Sequence, residues 1–119
     1  MPLLERDKTI LKKIINYCEE IEFAHKEYNH SFEVFDANPT YRNSVSLCLM
    51  QIGELSNKLS DEFKENNNSI PWKAIRGMRN VVAHEYGNID TVTVWETADS
   101  DIQDLKQFCI EVLKENKNG

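Results

Sequence analysis

Asp7-Lys8-Thr9-Ile10-Leu11-Lys12-Lys13-Ile14-Ile15-Asn16-Tyr17-Cys18-Glu19-Glu20-Ile21-Glu22-Phe23-Ala24-His25-Lys26-Glu27-Tyr28 is the stretch that decides the fold. Leu11, Ile14, Cys18, Ile21, His25 and Tyr28 recur with 3-4-3-4-3 spacing, which puts them on one stripe of a helix. Ile10 and Ile15 widen the stripe. Asp7 is the expected N-cap, because a short carboxylate there accepts from the free N–H groups of the first turn. His25 lies on the apolar stripe. It is expected to be a buried or boundary histidine bonded to a neighbour, not a catalytic one.

The same spacing returns twice further along. Val45, Cys48, Ile52, Leu55, Leu59 and Phe63 predict a second helix from about Pro39 to Glu65. Asn38 is its expected N-cap and Pro39 its first residue, where a missing N–H costs nothing. Gly53 interrupts this helix at about 1 kcal/mol against alanine and suits a close helix approach. Trp95, Ala98, Ile102, Leu105, Cys109 and Val112 predict a last helix from Thr91 to about Lys114, capped by Asp90. Between the first two helices, Asn29 to Asn38 reads as a polar connection, with Phe32 and Phe35 anchored over one end of the bundle. Glu65 to Ser69 is a loop by composition, Gly87-Asn88 breaks the chain, and Lys114 to Gly119 should fray. No strand alternation or internal repeat is present. The expectation is an all-α, antiparallel four-helix bundle with a shorter third helix, forming a single domain over residues 1–119. Apolar surplus on the first two helices is available for a dimer interface.

With 119 residues, 40% apolar and 29% charged, the chain has the composition of an ordinary globular protein. Its net charge of −6 argues against a general nucleic-acid coat but not against a local basic site. No apolar run approaches a membrane span, and Met1-Pro2-Leu3-Leu4-Glu5-Arg6 lacks the apolar core of a signal peptide, so a cytoplasmic protein is expected. Cys18, Cys48 and Cys109 each fall on a helical apolar face, as small buried hydrophobes do, and none sits in a metal-type cluster with histidine.

Trp72-Lys73-Ala74-Ile75-Arg76-Gly77-Met78-Arg79-Asn80-Val81-Val82-Ala83-His84-Glu85-Tyr86 carries the chemistry. A short helix from Pro71 to about Ala83 is expected. No acid interrupts the run from Pro71 to His84, and Lys73, Arg76 and Arg79 make it a local basic patch. Arg76, Asn80 and His84 share one helical face, while Arg79 lies about 140° around from His84. The two meet if the helix distorts at Ala83, or if a second copy of the helix lies alongside.

Arginine grips phosphate oxygens through its planar fork, and histidine exchanges a proton near neutrality. Asn80 can orient the imidazole or hold a phosphate oxygen. The set suits attack of an RNA 2′-OH on its neighbouring phosphate, with His84 as acid or base and Arg79 stabilising the transition state. No metal or cofactor is called for. The same residues also suit a plain helix C-terminus, with His84 near the last carbonyls, Arg79 a surface charge and Tyr86 a half-buried aromatic. Glu54 reads as a solvated or ion-paired surface acid.

Arg79-Asn80-Val81-Val82-Ala83-His84-Glu85-Tyr86 resembles the Arg-Asn-(x)3-His-x-Tyr signature of the HepT-like toxins of the HEPN superfamily. Ile70 to Met78, Ile52-Gly53-Glu54 and Val94-Trp95 are similar to that family as well. The resemblance implies an all-helical dimer with two Arg/His motifs facing across a cleft. It implies a metal-independent endoribonuclease toxin of a type VII-like toxin–antitoxin pair, acting on RNA and not on DNA. The implied partner is a minimal nucleotidyltransferase (MNT) antitoxin that transfers AMP to the tyrosine, here Tyr86. Carried over by position, Arg79 and His84 are catalytic and Asn80 supports them. A non-catalytic module that binds nucleotide, RNA or the nucleotidyltransferase is the alternative, and a purely structural helical dimer is a third.

Overall fold

The computed structural model describes residues 3–84 and 91–118, with the backbone alone for 79–84 and the last two. The helices are α1 (Glu5–Glu27), α2 (Phe32–Ala37), α3 (Pro39–Asn57), α4 (Asp61–Asn66), α5 (Trp72–His84), α6 (Thr91–Glu96) and α7 (Ile102–Asn118). A π-helical turn over Thr97–Asp101 joins the last two. There is no strand among the described residues. Four longer helices make the bundle, and the motif-bearing α5, at 13 residues, is the shortest of them, as expected. α3 packs against both α1 and α5, and α7 packs against α1.

The three stripes build the core. Leu11, Ile14, Cys18 and Ile21 of α1 are buried against Val45, Cys48, Leu49 and Ile52 of α3, and against Ile102, Leu105 and Cys109 of α7. Burial pushes all three cysteine thiols up to about 12, so they are inert apolar fillers, not nucleophiles.

Several boundaries differ from expectation. α1 starts at Glu5, and Asp7 is not its N-cap. Asp7 is 1% exposed, and its two carboxylate oxygens accept from Ser60 N (2.9 Å) and Ser60 Oγ (2.7 Å). A carboxylate facing inward needs donors, and the chain supplies them where α3 has ended. The second helix is correspondingly two. α3 stops at Asn57, and Ser60 caps α4 by accepting from Phe63 N (3.2 Å). Leu59 and Phe63 stay on the stripe across this break, both buried. Asp7→Ala leaves the Ser60 donors without an acceptor. It is expected to cost about 1–3 kcal/mol, read as a lower urea midpoint at unchanged slope.

The connection from Asn29 to Asn38 contains the helical turn α2, capped by Ser31, whose Oγ accepts from Val34 N (3.3 Å). Phe35 nevertheless anchors it as expected, fully buried against Tyr41 and Trp95. Asn38 caps α3 by accepting from Thr40 N (2.9 Å) and Tyr41 N (3.3 Å). The expected Asp90 cap lies outside the described residues. The last helix is interrupted by the π turn, and α7 continues to Asn118, where fraying from Lys114 was expected.

His25 is buried and bonded to a neighbour, as its place on the stripe implied. A hydrogen bond joins its Nδ1 to the Tyr41 hydroxyl, and His30 stacks on it with ring centroids 4.3 Å apart. Trp95 meets both imidazoles edge-on, and Asp99 of the π turn binds His30 Nε2. Burial first, and then the charge of His30, hold His25 below its ordinary value of 6.5, while the Ala98 backbone, Asp99 and Glu22 pull the other way. As pH falls through 6.5, the unfolded chain binds a proton at His25 that the folded chain declines. The stability from neutral His25 is therefore complete above 6.5 and is lost on acidification, down to the lowered pKa of the folded group. Wild type should lose more of its urea midpoint than His25→Gln on acidification from above that value to below it.

Candidate active site on the motif helix

α5 enters the bundle through its aromatic N-terminal end. Trp72 Nε1 donates to Asn67 O (3.0 Å), and its ring meets Phe63 and Phe108, each at 5.9 Å. Pro71 stands just before the helix, not within it, and its carbonyl accepts from Ile75 N (3.0 Å). Ile75 is the buried anchor of the described part of α5. From Trp72 the helix runs along α3, opposite in direction. The chain reappears at Thr91, whose Oγ1 donates to Asp36 Oδ1 (2.7 Å) beside the start of α3. The His84 end of α5 thus points toward the end of the bundle built by α2, the start of α3 and α6.

α5 is helical without interruption through His84, so the distortion considered at Ala83 is not found. On this backbone Arg76, Asn80 and His84 fall on one face, and Arg79 lies about 140° from His84. Lys73 and Arg76 are both exposed. Glu54 is half-buried on α3, the helix against which α5 packs. For Arg79, Asn80 and His84 the helical backbone fixes the angular positions, and Tyr86 lies outside the described residues. Among the described residues no cluster of three or more His, Cys, Asp or Glu side chains is arranged to hold a metal ion.

His30 and Asp99 belong to no motif in the sequence. Both are half-exposed and lie against the buried His25–Tyr41 pair. Their pairing spans 69 residues, and nothing local announces it. The one nearby signal is Trp95, which starts the last apolar stripe.

The fold and the acid-free stretch of α5 define an all-helical bundle with a cationic motif helix. Residues 13–112 match the family described as Ribonuclease HepT-like, and the chain belongs to that family. Among its relatives is "Putative RNase MJ1216" of Methanocaldococcus jannaschii, 33% identical over 108 residues, covering 91% of this chain and 88% of the relative. "Putative RNase TTE0752" of Caldanaerobacter subterraneus subsp. tengcongensis is 31% identical over 114 residues, covering 96% and 100%. "Probable ribonuclease HepT" of Thermococcus cleftensis is 32% identical over 99 residues, covering 83% and 88%. No solved structure matches the chain.

Proposed function

We propose that this protein, read as one HEPN-like domain over residues 1–119, is a metal-independent endoribonuclease whose site is completed by a second copy of the chain. The observation that carries the reading is the unbroken α5 of a HepT-like chain, with its Arg/His pair split across two faces of one straight helix. A neighbouring α5 in a two-fold dimer supplies the missing partner: Arg79 of one copy meets His84 of the other across a cleft. Phe23 and Leu47, 68% and 56% exposed on α1 and α3, offer apolar area for such a dimer.

In this site His84 takes the proton from an RNA 2′-OH. The oxygen attacks the adjacent phosphorus, the bond to the 5′-oxygen breaks, and that oxygen leaves with the proton that the His84 imidazolium returns. Arg79 balances the charge on the phosphoryl oxygens, Asn80 orients the imidazole, and Lys73 and Arg76 draw the neighbouring phosphates. The products end in a 2′,3′-cyclic phosphate and a 5′-hydroxyl. The protein acts as the toxin of a toxin–antitoxin pair in the cytoplasm, and an MNT-type nucleotidyltransferase silences it by placing AMP on Tyr86. An anionic nucleotide two residues from His84 fills the cleft and repels RNA phosphate. No helix among the described residues is long and apolar enough to cross a membrane.

The test is incubation of protein verified by mass to be unmodified at Tyr86 with transfer RNA and a long single-stranded RNA in excess EDTA. Cleavage leaving cyclic phosphate ends is expected. Absence of cleavage on either RNA would favour the second reading, a non-catalytic docking module, which the chain's net charge of −6 favours.

A further inference from the structure

α5 and α7 touch at Trp72 and Phe108, and nearer the π turn a groove of about 440 Å³ separates them. That volume falls in the range of small-molecule sites. Ile75 and Met78 of α5 form one wall, Ile102 and Leu105 of α7 the other, and Leu49 and Val94 complete the apolar lining. Two carboxylates, Asp101 and Asp104, stand at its edge, and both are exposed. No described lysine, arginine or histidine pairs with either; the described ion pairs lie at Glu5, Asp99, Glu19 and Glu22. Gly77 leaves the groove open, since a Cβ built there would meet no atom within 4 Å. An apolar trough with an unneutralised acidic rim is complementary to one chemical type, an apolar body ending in a cation.

We propose that this groove binds a small amphiphilic cation, an alkyl chain with an ammonium head. The chain lies against Ile75, Met78, Ile102 and Leu105, and the ammonium pairs with Asp101 and Asp104. The site flanks the residues that lead directly into Arg79, so an occupant there holds α5 against α7. Binding itself does not depend on the ribonuclease reading, and its failure leaves that reading untouched.

The experiment is calorimetric titration of the full chain with n-octylamine, n-octanol and n-octanoate at neutral pH. Saturable binding of the amine is expected, about tenfold tighter than the carboxylate, whose head the rim repels. Asp101→Asn with Asp104→Asn should erase that preference, whereas Glu33→Gln, on α2, should keep it and so separate the rim from the overall negative charge. Gly77→Leu fills the trough and should abolish amine binding while melting at or above the wild-type temperature. The exposed Asp101/Asp104 pair keeps the test decisive even if the leucine misfolds. Equal affinity for all three probes, or no saturable binding, overturns the proposal. So does a groove covered by a second copy, seen as a fall in sedimentation coefficient on Gly77→Leu without amine binding by wild type.

Discussion

Protein carrying His84→Ala is expected to lose RNA cleavage by about 10²–10⁴-fold, the range that a positioned acid or base contributes, while keeping the wild-type helical spectrum. Arg79→Ala should lose about 10²–10³-fold through lost charge stabilisation. Mixing the two inactive variants is the sharper measurement. If Arg79 of one copy serves His84 of the other, a heterodimer of the two variants has one site missing both groups and one site intact. Random re-pairing then restores about a quarter of wild-type activity in a two-fold dimer. A mixture that forms heterodimers yet stays inactive would place both groups in one chain, which the straight α5 opposes.

Phe35→Ala should be the most damaging change outside the motif. The ring is fully buried, with centroids 5.2 Å from Tyr41 and 5.3 Å from Trp95, and 6.5 Å from Phe32. Removing it takes away a large transfer term and leaves a cavity, together about 3–5 kcal/mol. Native domains hold only about 5–15 kcal/mol in all, so the loss should lower the melting temperature by about 12–20 °C. The signature differs from that of His84→Ala. Activity per folded molecule should be retained at low temperature and vanish with the thermal transition. An unchanged melting temperature would mean that the aromatic end contributes little to the fold.

The bundle was legible because its information is periodic. Leu11, Ile14, Cys18 and Ile21 all proved buried, and so did Val45, Cys48 and Ile52. The Asn38-Pro39 helix start was legible because both residues act within one turn. Asp7 was misread because a carboxylate near a helix start looks like a cap, whereas its partner, Ser60, lies 53 residues away. The break before α4 hid behind Leu59 and Phe63, which keep the stripe running across it. The π turn was hidden for a related reason. The buried positions are Val94, Ala98, Ile102, Leu105 and Cys109, and the two successive steps of four need a locally wider turn to stay on one side. Of the candidate site, the order and angular spacing of Arg76, Arg79, Asn80 and His84 could be read, because a straight helix dictates them. The His30–Asp99 pair could not, because only the tertiary fold brings it together.

Cys18, Cys48 and Cys109 sit on α1, α3 and α7, and α5 has none. The molecule therefore carries a built-in reporter of how it opens. A thiol reagent meets nothing reactive in the native state, whose thiols are buried and protonated. Detachment that leaves α1, α3 and α7 packed together remains chemically silent, whereas global unfolding exposes three sulfurs at once. Alkylation kinetics thus follow the life of the core, and amide exchange on α5 follows the motif helix. Where the two rates part, the motif helix is moving on a clock of its own.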